Sequence, residues 1–271
     1  MKQPATSGEV PVDDTWASKL AQLEASLAAE AHSAKRMDLI DRALRPPEPQ
    51  LLDTCVLQNL DWVDRCRETG NINWNDESEG TLSVRYGTNL ANDLLDLGTL
   101  YTQFEARSGY PWLVCNAAIE EANLLRGEKG DRLRNLIDFL AGHQDMWCSE
   151  IYPGIAKGSL LADGVAQISP LVLNTLGVQR PEDVTSTTGP LAFLRDRGDR
   201  LIASHALFSN IPVVLTTDHR TFWVHREKFT PLGLKIMRPG ELLDLYEPYW
   251  EALDREFSRR QGHTTRDSRS P

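Results

Sequence analysis

Two short apolar runs that each end on an acid constrain this chain more than any other feature. One is Leu51-Leu52-Asp53. The other is Ile211-Pro212-Val213-Val214-Leu215-Thr216-Thr217-Asp218. Their apolar residues are continuous rather than alternating, which is the pattern of strands buried on both faces of a parallel sheet. Helical patterns fill the sequence between them, so the fold class is α/β, a central parallel sheet with helices on both faces. Further short strands are expected at Tyr110–Cys115, Gly164–Ile168 and Leu234–Met237, about five in all. Helices are expected at 58–70, 84–107, 131–140, Leu171–Leu176, Arg200–Leu207 and Glu241–Phe257, and at 116–125 with Asn116 as its cap. Residues 71–80 and Pro181–Gly189 read as loops, and 142–163 as irregular.

The ends of the chain have a different character. Residues 1–12 are polar with two prolines. Trp16, Leu20, Leu23 and Leu27 then form one apolar stripe at helical spacing, and Pro46, Pro47 and Pro49 stop the helix. This N-terminal helical extension either docks on the main domain or takes a second copy or a protein partner through residues 14–44. The polar tail from Ser258 is expected to fray. The expected division is therefore 1–49 (tail and amphipathic helix), 50–246 (main domain) and 247–271 (helix end and basic tail).

Charge excludes one class of function. With 29 Lys and Arg against 39 Asp and Glu, the net charge is −10. A protein that grips polyanions by bulk positive charge is ruled out, and only local basic patches remain for that task. No stretch approaches the roughly 20 apolar residues of a membrane span. The opening residues lack the apolar core of a secretory signal. Cys55, Cys66, Cys115 and Cys148 form no CxxC pair and no zinc-like spacing with His, so they read as reduced thiols of a cytoplasmic protein.

In parallel α/β sheets, ligands gather at the carboxyl ends of strands, which is where Asp53 and Asp218 fall. Asp199 stands at the start of the next-to-last helix. Taken singly, Asp53 and Asp218 also fit turn-starting residues that bond their own backbone, and Asp199 fits an acid complementing the helix dipole. Gathered in one pocket, such carboxylates repel each other and raise each other's pKa, and a divalent cation removes that penalty. Oxygen-only ligands point to Mg²⁺ or Mn²⁺ rather than Zn²⁺, and such ions favour chemistry on phosphate.

At these residues the chain resembles the PIN-domain family of metal-dependent ribonucleases, which includes toxins of toxin–antitoxin pairs. Leu51-Leu52-Asp53-Thr54-Cys55-Val56 is similar to that family's opening strand. Ala117-Ala118-Ile119-Glu120-Glu121-Ala122 resembles its Glu-bearing helix. Asp199-Arg200-Leu201-Ile202-Ala203-Ser204-His205-Ala206 resembles its Asp-x-x-Ile-Ala-x-x-Ala segment. Val213–Asp218, followed by Phe222, resembles its strand ending in Thr-x-Asp. The resemblance runs from Gln50 to about Leu245 and implies a PIN-like, Rossmann-like sheet. It also implies a metal site of Asp53, Glu121, Asp199 and Asp218, with Glu120 as the alternative to Glu121. Thr54 and Thr216 would orient the carboxylates from behind, and Asp196 would assist as an outer ligand unless it is a solvated charge. The implied reaction is hydrolysis of RNA phosphodiesters, leaving a 5′-phosphate and a 3′-hydroxyl.

Single-stranded RNA is the expected substrate. Its backbone would be held by Arg126, Lys129, Arg132 and Arg134, or by Arg195, Arg197 and Arg200, unless these are ordinary solvated helix surface. Other readings are a non-catalytic PIN-like scaffold and an aspartyl phosphatase at Asp53. The phosphatase requires Asp-x-Asp, and Cys55 stands at the second position. A cysteine nucleophile finds no His at supporting spacing.

Overall fold

A computed structural model of the chain describes residues 47–68, 82–106, 111–155, 160–161 and 168–267. These fall into two compact units: residues 48–243, and the stretch from Asp244 onward together with Pro47. The first unit holds a sheet of four strands: β1 (Gln50–Leu52), β2 (Trp112–Leu113), β3 (Val213–Leu215) and β4 (Lys235–Met237). Their order is β2-β1-β3-β4 and every pairing is parallel. Every residue of β1, β2 and β3 is buried, as the continuous apolar runs require. Backbone bonds carry the ladder past the strand ends, from Asp53 N to the Leu215 carbonyl (3.0 Å) and from Thr216 N to the Met237 carbonyl (2.9 Å).

The helices between the strands are α1 (Thr54–Glu68), α2 (Thr88–Ala106), α3 (Asn116–Leu124), α4 (Glu128–Met146), α5 (Pro170–Thr175), α6 (Pro181–Val184), α7 (Arg197–Phe208) and α8 (Arg226–Phe229). A final helix, α9 (Pro239–Asp267), leaves the sheet after β4. Helix α1 packs on α2 and α4, α3 lies between α4 and α7, and α7 rests on β3. Phe104 stacks on Trp112 with centroids 5.1 Å apart, and Phe222 stacks on Phe229 at 5.7 Å. All four rings are buried. The chain runs from β1 to β2 on one side, then returns to place β3 on the other side of β1. The order therefore reverses between β1 and β3, and a crevice forms outside the carboxyl ends of strands at such a switch point.

Several expectations change. Four strands are present among the described residues where about five were expected. Of the expected strand Gly164–Ile168, only Ile168 is described, and it is irregular. Helix α1 starts at Thr54, not at 58, because the Asp53 carbonyl already accepts from Val56 and Leu57. Cys115 is the N-cap of α3, and Asn116, expected to cap it, instead donates to Glu120. Helix α4 runs through Gly130 rather than breaking there. A Cβ at that position would sit 2.3 Å from the Leu125 carbonyl oxygen, so the glycine permits a close crossing. Much of 142–163 is likewise helical, ending in a π-turn at Trp147–Ile151. Pro181–Val184 is a helical turn within the expected loop. Helix α9 continues to Asp267 where fraying was expected from Ser258, in line with the helix-forming Arg, Glu and Gln it contains. The N-terminal helix over 14–44 and the loop 71–80 lie outside the described residues. Among the described residues no helix is long and apolar enough to cross a membrane.

Leu51 lies in the middle of β1 and is fully buried. Leu51→Ala is expected to cost about 2–5 kcal/mol in chemical denaturation, the range for deleting a buried leucine side chain.

Candidate active site

Asp53 follows β1 and Asp218 lies three residues past β3, on the two sides of the switch point. One hydroxyl joins them. Thr216 donates to Asp53 Oδ2 at 2.7 Å and accepts from the Asp218 backbone N–H at 2.9 Å. Asp53 is buried, and that burial pushes its pKa up. The charge of Asp218 adds to the rise, while the hydrogen bonds from Cys55 and Thr216 oppose it.

Cys55 is the unexpected member of the site. Its thiol donates to Asp53 Oδ2 at 2.8 Å and accepts from the Thr217 hydroxyl at 3.2 Å. Asn59 in turn donates to that hydroxyl at 2.8 Å. The result is a relay from Asn59 through Thr217 and Cys55 that fixes the Asp53 carboxylate. Burial first, and then the adjacent Asp53 charge, push the Cys55 thiol well above its ordinary range. It is therefore a proton-bearing donor and not an activated nucleophile.

Asp218 behaves partly as a turn-starting residue. Its Oδ1 accepts from the Arg220 backbone N–H at 2.6 Å, and its Oδ2 accepts from the Thr221 hydroxyl. Thr221 also hydrogen-bonds Asp199, so it sits between the two acids. Asp199 is half-buried in the first turn of α7. Its pKa is pushed up to about 7, by burial first and then by Asp53, with Asp196 and Asp218 adding and Thr221 opposing. Three acids far apart in sequence thus share one electrostatic neighbourhood.

Helix α3 brings the fourth. A Cβ at Gly198 would lie 2.5 Å from Glu121 Oε1 and 3.0 Å from Asp196 Oδ1. Glu121 therefore presses its carboxylate against Gly198, in the first turn of α7, the turn that also carries Asp199. Glu120 is exposed and held by Asn116 Nδ2 at 3.0 Å, and it lines a separate cavity with Pro181, Glu182 and Thr185. Glu121 meets Gly198, whereas Glu120 faces a cavity that Arg197 and Leu201 of α7 also line.

The carboxylates are near but not gathered. Among the described residues no group of three or more His, Cys, Asp or Glu side chains is close enough to hold a metal ion as it stands. The donor type nevertheless fits a hard divalent cation, since all four candidates offer carboxylate oxygens. The pKa of Asp199 is raised by burial first and by the neighbouring carboxylates after it, and a bound cation would relieve both.

The supporting residues divide. Thr216 orients Asp53 as expected. Thr54 does not: its buried hydroxyl has no hydrogen-bond partner, and only its backbone bonds Asp53. Asp196 is the N-cap of α7, accepting from Gly198 N at 2.6 Å and Asp199 N at 3.4 Å. Sequence reasoning missed Cys55 and Thr221 as partners of the acids, and Thr217 and Asn59 as the residues behind Cys55. Thr217 and Thr221 flank Asp218 and carried a signal by position, whereas Asn59 meets Thr217 across 158 residues of chain and carried none.

The cations divide as well. Arg200 is buried, and its guanidinium donates to the carbonyls of Thr185 (2.8 Å), Leu194 (2.7 Å) and Arg195 (2.9 Å). It braces the loop before α7, which corrects its assignment to a substrate-facing patch. Arg132 is paired with Asp61 and Glu128. Arg134 is paired with Asp131 and bonded to the carbonyls of Ala122 and Leu125. Arg126, Lys129, Arg195 and Arg197 are exposed. Compared with known proteins, the chain matches no family model, no curated protein and no solved structure.

The raised pKa of Asp199 sets a pH dependence with a definite sign. In the unfolded chain the group ionises near 3.8, whereas in the fold it keeps its proton to about 7. Across that window the folded state binds more protons, so stability falls as pH rises and levels off above it. Denaturant titrations in EDTA should show Asp199→Asn as more stable than wild type at pH 8, with the advantage shrinking toward pH 4. Equal stability at both ends would contradict the raised pKa of Asp199.

Proposed function

We propose that the chain is a PIN-type ribonuclease that hydrolyses RNA phosphodiester bonds with Mg²⁺ or Mn²⁺ held by Asp53, Glu121, Asp199 and Asp218. The observation that carries this reading is the shared electrostatic neighbourhood of Asp53, Asp199 and Asp218 at the switch point, where burial first and then the Asp53 charge raise Asp199 to about 7. The order of the four acid-bearing segments along the sequence supports the family likeness, as does a parallel sheet with Asp53 and Asp218 at strand ends.

When bound, the ion supplies an activated water and stabilises the leaving oxygen. The chain's own residues supply position. The Thr216 hydroxyl and the Cys55 thiol both donate to Oδ2 of Asp53, so that carboxylate is fixed in orientation. Thr221 spaces Asp218 from Asp199. Asp196 caps α7 and leaves Glu121 to approach over Gly198. Exposed Arg126, Lys129, Arg195 and Arg197 provide local positive charge for the backbone of a single-stranded substrate, which the net charge of −10 makes necessary. In this reading the protein is cytoplasmic, and residues 14–44 offer a surface for a second copy or a protein partner.

A labelled single-stranded RNA incubated with Mn²⁺, Mg²⁺ or EDTA tests the proposal. Cleavage is expected with either ion and absent in EDTA. Asp53→Asn should lower it by roughly 100-fold or more, the upper end of the cost of losing even an outer partner of a metal ligand. Cleavage that survives both chelation and the substitution overturns the reading. Gly198→Ala makes a separate prediction. The new methyl group meets only the mobile end of Glu121 and the Asp196 carboxylate, and Ala is the better helix former by about 1 kcal/mol. Thermal melting should find the variant folded, while its cleavage rate falls because Glu121 is displaced.

A further inference from the structure

A groove beside the acid site is used by nothing described so far. It has a volume of about 610 Å³ and runs between Tyr86–Leu90 on one side and Thr217–Arg220 on the other. Asp218 lines it too, so the groove opens directly on the candidate active site. Its size lies within the roughly 300–1,000 Å³ of small-ligand sites.

We propose that this groove binds one unstacked nucleotide of single-stranded RNA, with Tyr86 under the base, Arg220 on the phosphate and His219 accepting from a ribose hydroxyl. The inference rests on the ribonuclease reading and adds to it where the substrate lies.

Each part of the groove suits that ligand. Tyr86 is half-buried, with Trp62 at a steep angle 5.7 Å away and the Arg85 guanidinium over one face of its ring at 5.1 Å, so the base stacks on the face that Arg85 does not cover. Stacking on such a ring needs a base freed from its neighbours, as in a single strand. Gly87 has φ +81° and open space where a Cβ would stand, so the wall beside Tyr86 is bare backbone. Helix α2 begins at Thr88 on this wall, with no acid in its first turn. Its orphan N–H groups and dipole therefore present positive potential to a phosphate.

The opposite wall carries one side-chain donor and one acceptor. Arg220 is exposed. His219 is fixed from behind, because its Nε2 bonds Asp93 Oδ2 at 2.8 Å. Asp93 is only 1% exposed, and its other oxygen takes Arg238 Nε (3.0 Å) and Nη2 (2.8 Å). Arg238 also donates to the Asn89 carbonyl at 3.1 Å, so one buried cluster ties both walls together. With Nε2 donating to the Asp93 carboxylate, Nδ1 is the nitrogen of His219 left for a ligand, and it is an acceptor suited to a ribose hydroxyl. The groove is thus preorganised, and little ordering cost falls on binding.

Fluorescence anisotropy in EDTA and low salt, with a labelled single-stranded 12-nucleotide RNA lacking self-complementarity, tests the groove apart from the chemistry. Wild type should bind. Tyr86→Leu should weaken binding on the order of 10-fold, while Tyr86→Phe, which keeps the ring, should stay within about 2-fold of wild type. Arg220→Ala removes an exposed side chain and reports even if a Tyr86 variant misfolds. It should reduce the slope of log affinity against log salt by about 0.7, one phosphate contact on a single strand. No binding by wild type, or unchanged binding by folded Tyr86→Leu and unchanged salt slope for Arg220→Ala, overturns the groove. If Mn²⁺-dependent cleavage occurs with KM unchanged in Tyr86→Leu, the groove fails and the nuclease stands. If binding depends on Tyr86 but no cleavage occurs with Mn²⁺, the nuclease reading fails and the groove stands.

Discussion

The hydroxyl of Thr216 is the point on which the site depends. It donates to Asp53 after β1 and accepts from the backbone of Asp218 after β3. The two strands are paired in parallel with Leu52 opposite Leu215, so both acids emerge at the same end of the sheet. Parallel pairing alone would leave their orientation free. The hydroxyl fixes it, and the Cys55 thiol adds a second donor to the same Asp53 oxygen. A side chain with two hydrogen bonds in a buried setting has few rotamers open to it, which is what a site must have before it binds anything.

This arrangement carries an electrostatic cost. Asp53 and Asp199 both have raised pKa values, with burial as the first cause and neighbouring carboxylates as a further one. A fold seeking only stability would replace one of them with an amide or pair it with a cation. Arg200 stands next to Asp199 in sequence, yet it turns away to bond three carbonyls of the preceding loop. Elsewhere the chain does pair its acids: buried Asp93 holds both His219 and Arg238, and Asp61 holds Arg132. Asp53 and Asp199 have no such cation partner among the described residues, and strongly perturbed acids in a crevice are candidates for a functional site.

Much of this was legible in the sequence, and the limits have physical causes. The strands were visible because a strand buried on both faces needs an uninterrupted apolar run, as in Val213–Leu215. Asp53, Asp199 and Asp218 were visible because an acid directly after such a run, or at a helix start, stands out. The choice between Glu120 and Glu121 was not, since adjacent helical residues differ by about 100° in direction and only packing against Gly198 decides. Asn59 and Cys55 as partners of Thr217 depend on contacts across more than 150 residues, which no local pattern encodes. Helix lengths were misjudged at Gly130 and beyond Ser258. Glycine at 130 serves a close approach to Leu125 rather than a break, and local composition favours continuing α9.

The central claim is that the acids at the switch point form one ion site. Thermal melting at pH 8 across a Mn²⁺ titration tests it most directly, since it needs no substrate. The account predicts that wild type is stabilised progressively, reaching about 2.7 kcal/mol when Mn²⁺ is 100 times its dissociation constant. It also predicts that Asp199→Asn, which keeps the fold but removes one charge, loses most of the response. A wild-type melting temperature that does not move with millimolar Mn²⁺, or one that moves equally in the variant, would contradict it.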